Sequence, residues 1–446
     1  MNEHYFFDVD EFEDIIEYYF FKEDDKIAEQ CISDALDQHP GDLRLLLKKA
    51  QQLANSGNSE KALTLLSEIP EDHISDPEVH VSLGNLYSQL ERPEIAIKEY
   101  LAGISDSEEN DDIYASIGFE YENMSRYDKA IEYLRLSLEQ NPENEPVLYE
   151  ISFCFEITQQ SEKAIKFLSD FLDKNPFSAA AWFNQGIAYS NCELYEKAID
   201  AYDFALAIDE FFGSAAFNKA NCLANLGKYE EAIKVYLESG EYEEDPGSLS
   251  YYYIAECYEK LENFPRAIEY YKKCIEQDPD FADAWVGAGL AYDSLNKPQT
   301  AIAYIQKAIQ VAPTVWEYWF IQGDLHIKLG QIEEGIASYR KVIELEPNDS
   351  EVWLELSYVY YQQGDLAKAL DVLKEGMKWH EENPDFLYGM ACYLLRSGRQ
   401  KQAYMMLDKA LHLDYDGYRR MFKQFPELAE NNEINHIIET FKNNPD

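Results

Sequence analysis

Many side chains here could do chemistry, but their spacings mostly forbid it. Eight histidines are spread along the chain with no HxxxH or HExxH pair. His73 and His80 stand seven apart, yet a zinc ion there would lack the further ligands that complete its coordination. The stretch "WVGAGLAY" (285–292) holds Gly287 and Gly289, the kind of glycines that let a backbone cradle a phosphate. No strand precedes them, so helix packing is the expected role. Cys154, Cys222 and Cys257 fall at one repeated position, where small buried side chains are expected rather than a row of reactive thiols. With 85 acidic residues, any spacing of two carboxylates is uninformative, and no Ser/His/Asp or Cys/His constellation emerges. The expectation is a protein that is not an enzyme and carries no catalytic residues, metal or cofactor.

Charge narrows the partners. There are 38 basic residues against 85 acidic ones, a formal net charge of −47. Phosphate backbones and anionic membrane surfaces would be repelled, so neither nucleic acid nor membrane is expected. A basic partner would be steered in, although acidity also serves simply to keep a large surface soluble. Aromatic content of 14%, including 34 tyrosines, argues against disorder. The opening "MNEHYFFDVDEFEDII" lacks the basic and apolar regions of a secretory signal, and no apolar run approaches a membrane span. Seven scattered cysteines without a CxxC pair suit a reducing, cytoplasmic compartment.

What positions these residues is a period. Ala28, Ala62, Ala96, Ala130, Ala164, Ala198 and Ala232 follow one another at intervals of 34. One step of 35 leads to Ala267, and Ala301, Gly335, Ala369 and Ala403 continue at 34. A second series runs twelve residues upstream: Ile16, Ala50, Gly84, Gly118, Ser152, Gly186, Ala220, Ala255, Gly289, Gly323, Ser357 and Ala391. Three residues after it come mostly large aromatics such as Tyr121, Tyr189, Tyr258 and Tyr360, with His326 at one core-like position. Four residues before it stand Trp182, Trp285, Trp319 and Trp353. Prolines at 40, 142, 176, 279, 313 and 347 recur just before the next unit.

Large and small residues three and four apart share one helix face. Turns such as "LGKYEEA" (226–232) then reverse the chain, and proline stops the second helix. Each unit is therefore two antiparallel helices, with small residues where they approach. No unit buries its apolar stripe alone, so neighbours must stack into a solenoid.

In "WFNQGIAYSNCELYEKAIDAYDFALAI" (182–208), Trp182, Gly186, Tyr189, Ala198, Tyr202 and Ala205 stand where the tetratricopeptide repeat family has its W–G–Y–A–F/Y–A signature. The chain resembles that family over about residues 9–416, in twelve tandem units. The resemblance implies an all-α, right-handed superhelical solenoid of stacked antiparallel helix pairs. Residues 1–8 read as a lead-in, and 417–446 as capping helices around Pro426 with Leu428, Ile434, Ile437, Ile438 and Phe441 as their apolar side. Departures are Gly335 in place of alanine, Glu108 and Glu210 in place of the closing proline, and a one-residue irregularity near 239–250 that reads as a loosened junction or hinge. At the other end Tyr18, Tyr19, Phe20 and Phe21 either close their own end or form a docking or self-association patch, which leaves a homo-oligomer open.

In similar proteins the face next to the Trp/small/Tyr stripe lines a concave groove that binds peptides or partner proteins. Those positions here give Ala115, Phe119, Tyr149, Phe153, Phe183, Asn184, Ile187, Phe217, Asn218, Asn221, Tyr252 and Glu256, fringed by Glu122, Glu156 and Glu259. Aromatics there suit burial by a ligand, and asparagines can bond an extended peptide. The alternative is that the aromatics only thicken the core between first helices. Family members that clamp a C-terminal carboxylate use lysines where this chain has Phe or Tyr, which disfavours that ligand. Asn184 and Asn218 resemble the asparagine ladder of family members fused to a glycosyltransferase, but no transferase domain follows here. The expected function is a non-catalytic interaction scaffold for a peptide or protein of basic and apolar character. Alternatives are an accessory subunit that regulates or presents substrate to a separate enzyme, and a self-assembling structural protein.

Overall fold

The computed structural model describes residues 6–22, 24–69, 77–105, 110–239 and 247–443. His73, Glu108 and most of the expected irregularity at 239–250, namely 240–246, lie outside those residues. The described chain is all-α and contains no strand; twelve first helices alternate with twelve second helices, from Val9–Phe21 to Gln400–Leu413. It divides into two compact units, residues 1–227 and 228–446. The first contains six complete pairs and the first helix of repeat 7, Gly213–Asn225; the second contains the partner helix Tyr229–Ser239, five further pairs and the C-terminal helices. The expected all-α stack of helix pairs is what is found.

Both small-residue series do the packing that their period requires. All twelve residues from Ala28 to Ala403 are buried, and in the upstream series only Ser152 is half-buried. The glycines of that upstream series leave room for a side chain sixteen residues on. A Cβ on Gly84 would stand 2.5 Å from the Tyr100 ring, and one on Gly323 equally close to Tyr339. Behind them the backbones meet: the carbonyl of Ala301 would lie 3.3 Å from a Cβ on Gly289. Close approach of the helices and a seat for one large ring are thus the same requirement.

Two local devices recur along the array, the first in repeats 2 to 12 and the second at four junctions. In repeats 2 to 12 the residue five before the buried alanine takes a left-handed backbone and reverses the chain. It is glycine at five places and Glu91, Ser125, Gln159, Glu193, Glu262 and Asn296 at six. The tryptophans explain the prolines. The indole N–H of Trp182, Trp285, Trp319 and Trp353 donates to the carbonyl of the proline six residues earlier, at 2.9–3.0 Å. One side chain therefore clips the end of a repeat to the start of the next. His326 departs from expectation: it is half-buried and bonds Gln331 at 2.7 Å rather than entering the core.

Within each unit, first helices of neighbouring repeats contact one another, as Glu145–Ile157 does Ala179–Asn191 and Ser350–Gln362 does Pro384–Arg396. Successive second helices make no comparable contact among the described residues. First helices therefore form the tighter, inner layer. At the amino end, Phe12 and Ile16 are buried while Phe6, Tyr18 and Phe21 are exposed, so the aromatics divide between closing the end and facing solvent. At the other end Met421, Phe425, Ile434 and Ile438 join the core of repeats 11 and 12, with the Phe425 ring edge-on to Tyr361 at 5.1 Å.

Candidate functional site

The inner layer of repeats 4 to 6 opens into a cavity of about 500 Å³. Three first helices build it: Asp111–Asn123 supplies Glu122, Glu145–Ile157 supplies Tyr149, Glu150, Ser152, Phe153 and Glu156, and Ala179–Asn191 supplies Asn184, Ile187, Ala188 and Asn191. Ser161, Ala164 and Leu168 of the intervening second helix form its floor. The volume falls in the range of small-molecule and side-chain pockets.

Its chemistry is one-sided. Tyr149, Ile187 and the 43% exposed Phe153 give apolar wall, while Glu122, Glu150 and Glu156 give three carboxylates. Among the described residues no lysine or arginine lines it. Burial, reinforced by the neighbouring Glu150 carboxylate, pushes the Glu122 carboxyl up to about 7. Burial also pushes the nearby Cys154 thiol up to about 12, with Glu122 and Glu150 adding to the effect. Asn184 is buried, and its Nδ2 donates back to the Ala180 carbonyl at 2.8 Å. That leaves Oδ1 without a donor among the described residues, on the wall of the cavity.

The other expected groove residues lie elsewhere. Phe183 is turned into the helix layer, 8% exposed, with its ring 4.8 Å from Phe212 and 6.0 Å from Tyr202. Ala115 is buried, and Phe119 is half-buried against the core of repeats 4 and 5. Phe217, Asn218 and Asn221 are half-buried on the first helix of repeat 7, where Asn218 Nδ2 donates to the Ser214 carbonyl at 3.0 Å. Tyr252 and Glu256 belong to the second unit, where the tyrosine hydroxyl donates to the carboxylate at 3.1 Å. Phenols recur on carboxylates in that unit: Tyr271 donates to Glu259, Tyr318 to Asp283 and Tyr339 to Asp324. Four of the expected residues, Tyr149, Phe153, Asn184 and Ile187, thus converge on one cavity.

Glu150 was missed by the sequence reading. The signal is in the spacing: it stands 28 residues after Glu122, as Asn184 stands 28 after Glu156, and all four line the cavity from adjacent first helices. A second cavity of about 540 Å³ lies between repeats 1 and 3, and it differs in charge. There Arg44 bonds Asp10 at 2.8 Å and Glu13 at 3.0 Å, and Lys48 bonds Glu17 at 2.6 Å. No group of His, Cys, Asp and Glu suited to a metal ion occurs among the described residues, and no described helix is long and apolar enough to cross a membrane.

Comparison with known proteins accords with the repeat architecture. Family models described as "Tetratricopeptide repeat" match residues 111–144, 158–211, 193–247, 248–281, 270–303 and 350–383, and one described as "TPR repeat" matches 323–364. No curated protein matches the chain in sequence. Among solved structures, the APC/C hetero-tetramer Cut9-Hcn1 is 17% identical, with 87% of this chain and 88% of that one covered and a TM-score of 0.39. YrrB, a TPR protein with an unusual peptide-binding site, is 18% identical over 42% of this chain and 94% of its own, with a TM-score of 0.35. A tetratricopeptide repeat protein from Parabacteroides merdae is 15% identical over 56% and 98%, with a TM-score of 0.41. The 34-residue ruler, its buried small residues, the paired helices and matches spread from residue 111 to 383 agree: this chain belongs to the tetratricopeptide repeat family.

Proposed function

We propose that this chain is a non-catalytic scaffold that holds a peptide or partner protein of basic and apolar character on the inner layer of its first helices. The observation that carries this reading is the cavity of repeats 4 to 6, where exposed Phe153 and half-buried Tyr149 and Ile187 stand beside three carboxylates. Apolar side chains left accessible on an inner face favour burial by a ligand. The net charge of −47 favours a cationic one. Seven unpaired thiols support work in a reducing, cytoplasmic setting.

Fluorescence anisotropy with labelled octapeptides tests this. Basic-apolar, neutral-apolar and acidic-apolar sequences are compared at low and high salt, with the wild type and with Phe153→Ala. The basic-apolar peptides should bind best, weaken with salt and lose affinity to the substitution. Binding that ignores both salt and Phe153 refutes the reading.

A further inference from the structure

Glu122 and Glu150 stand together on adjacent first helices, partly withdrawn from water and with no basic side chain among the residues that line their cavity. Two carboxylates so placed repel each other unless a proton or a cation sits between them. The carboxylates of the second cavity are balanced by Arg44 and Lys48. Glu122 and Glu150 have no such partner among the described residues that line the cavity, and share a side-chain hydrogen bond that needs a proton on one of them. A third, independent acceptor faces the same space: Asn184 is 3% exposed, and its Oδ1 takes no hydrogen bond among the described residues. The Asn184 Oδ1 is not one of the buried side-chain oxygens and nitrogens without a partner, so it reaches solvent, and a ligand that displaces that water must bring a donor of its own.

The space thus presents acceptors on one side and aromatic surface on the other, with no side-chain cation of its own. Resting on the groove reading above, we infer that this cavity is the specificity pocket for one arginine side chain of the bound partner, its guanidinium held between Glu122, Glu150 and Asn184 against the Phe153 and Tyr149 rings. Guanidinium is the group that fits each part. It carries five N–H donors in a planar fork, enough for two carboxylates and an amide oxygen at once, and its flat face stacks on aromatic rings. An ammonium offers three donors around a point charge and gains less from a ring beside it.

The test uses the full chain and three labelled octapeptides that differ at one position: arginine, lysine and citrulline. Citrulline keeps the shape of arginine without its charge. With the wild type, replacing arginine by citrulline should weaken binding by about tenfold or more, and replacing it by lysine should weaken it measurably. Glu122→Gln with Glu150→Gln should erase the preference for arginine over citrulline. Glu150→Gln alone serves if the double variant loses its helical circular dichroism. Equal binding of arginine and citrulline peptides, with Phe153→Ala still abolishing binding, overturns the arginine pocket and leaves the groove standing. Lysine binding as well as arginine overturns the guanidinium assignment. Failure of every peptide to bind removes both readings.

Discussion

Glu193 holds φ at +58°, a left-handed backbone that crowds its own Cβ, and it is exposed at the reversal between helices Ala179–Asn191 and Tyr195–Ile208. A side chain in that region costs roughly 1–2 kcal/mol, whereas glycine adopts it freely. Glycine also loses about 0.5–1 kcal/mol more backbone entropy on folding than a residue with a side chain. The difference predicts that Glu193→Gly stabilises repeat 6 by about 0.5–1 kcal/mol. Gly364 occupies the same register position in repeat 11 with φ +78° and nothing within 4 Å of where a Cβ would stand. Gly364→Ala therefore adds no clash and should destabilise repeat 11 by about the same amount. Repeat arrays need not unfold in one step, so a global midpoint is the wrong readout. Amide hydrogen exchange should slow about two- to fivefold in residues 179–208 of Glu193→Gly and quicken in residues 350–376 of Gly364→Ala. Unchanged or reversed exchange in both variants would refute the reasoning that backbone strain at these turns is felt by the flanking helices.

Gly186→Ala should destabilise repeat 6 by up to about 2 kcal/mol, because overpacking against the Tyr202 ring outweighs the gain in helix propensity; faster amide hydrogen exchange in residues 179–208 than in the wild type checks it. Glu122 interacts with Glu150 and Cys154 and shares its cavity with Tyr149 and Glu156, and its folded pKa is raised to about 7, so the folded state keeps its proton where the unfolded chain has lost it. Its contribution favours folding at low pH and is lost as pH rises from about 4.5 to 7; local stability of helices 111–123 and 145–157 should therefore increase from pH 7.5 to 5.5 by hydrogen exchange corrected for intrinsic rate, less so in Glu122→Gln. Phe425→Ala should cost about 3–5 kcal/mol and loosen repeats 11 and 12 first, since its buried ring meets Tyr358, Tyr361 and Tyr393; limited proteolysis would locate the loosening. Trp353→Phe removes the bond to the Pro347 carbonyl from a side chain 1% exposed and should cost about 2 kcal/mol, read as faster amide hydrogen exchange in residues 350–376.

The pattern from Ala28 to Ala403 was legible because each of its members must fit against another helix, and a side chain larger than alanine cannot. The paired helices and their reversals followed from that spacing. The groove was less legible, for a geometric reason. The position after each tryptophan lies at the edge of the buried stripe, and a small rotation of the helix decides which way it turns. Phe183 turns inward onto Phe212, while Phe153, one turn-position differently placed on the preceding repeat, stays exposed. Glu150 escaped notice because acidic spacings carry no information in a chain with 85 carboxylates. Only adjacency between repeats singles it out. The spacing of the prolines shows them as helix stops, whereas their second role, as acceptors for an indole six residues on, emerges only in the folded chain.

The indole clips are unevenly distributed. Three of the four join successive junctions, at 279/285, 313/319 and 347/353, whereas the first unit has one, at 176/182. Were the chain pulled lengthwise, the load would reach every junction but meet an indole clip at only some. Repeats 8 to 11 should then hold together as a stiff block, and extension should begin at the junctions before Trp182, where the sequence has no tryptophan to form a clip.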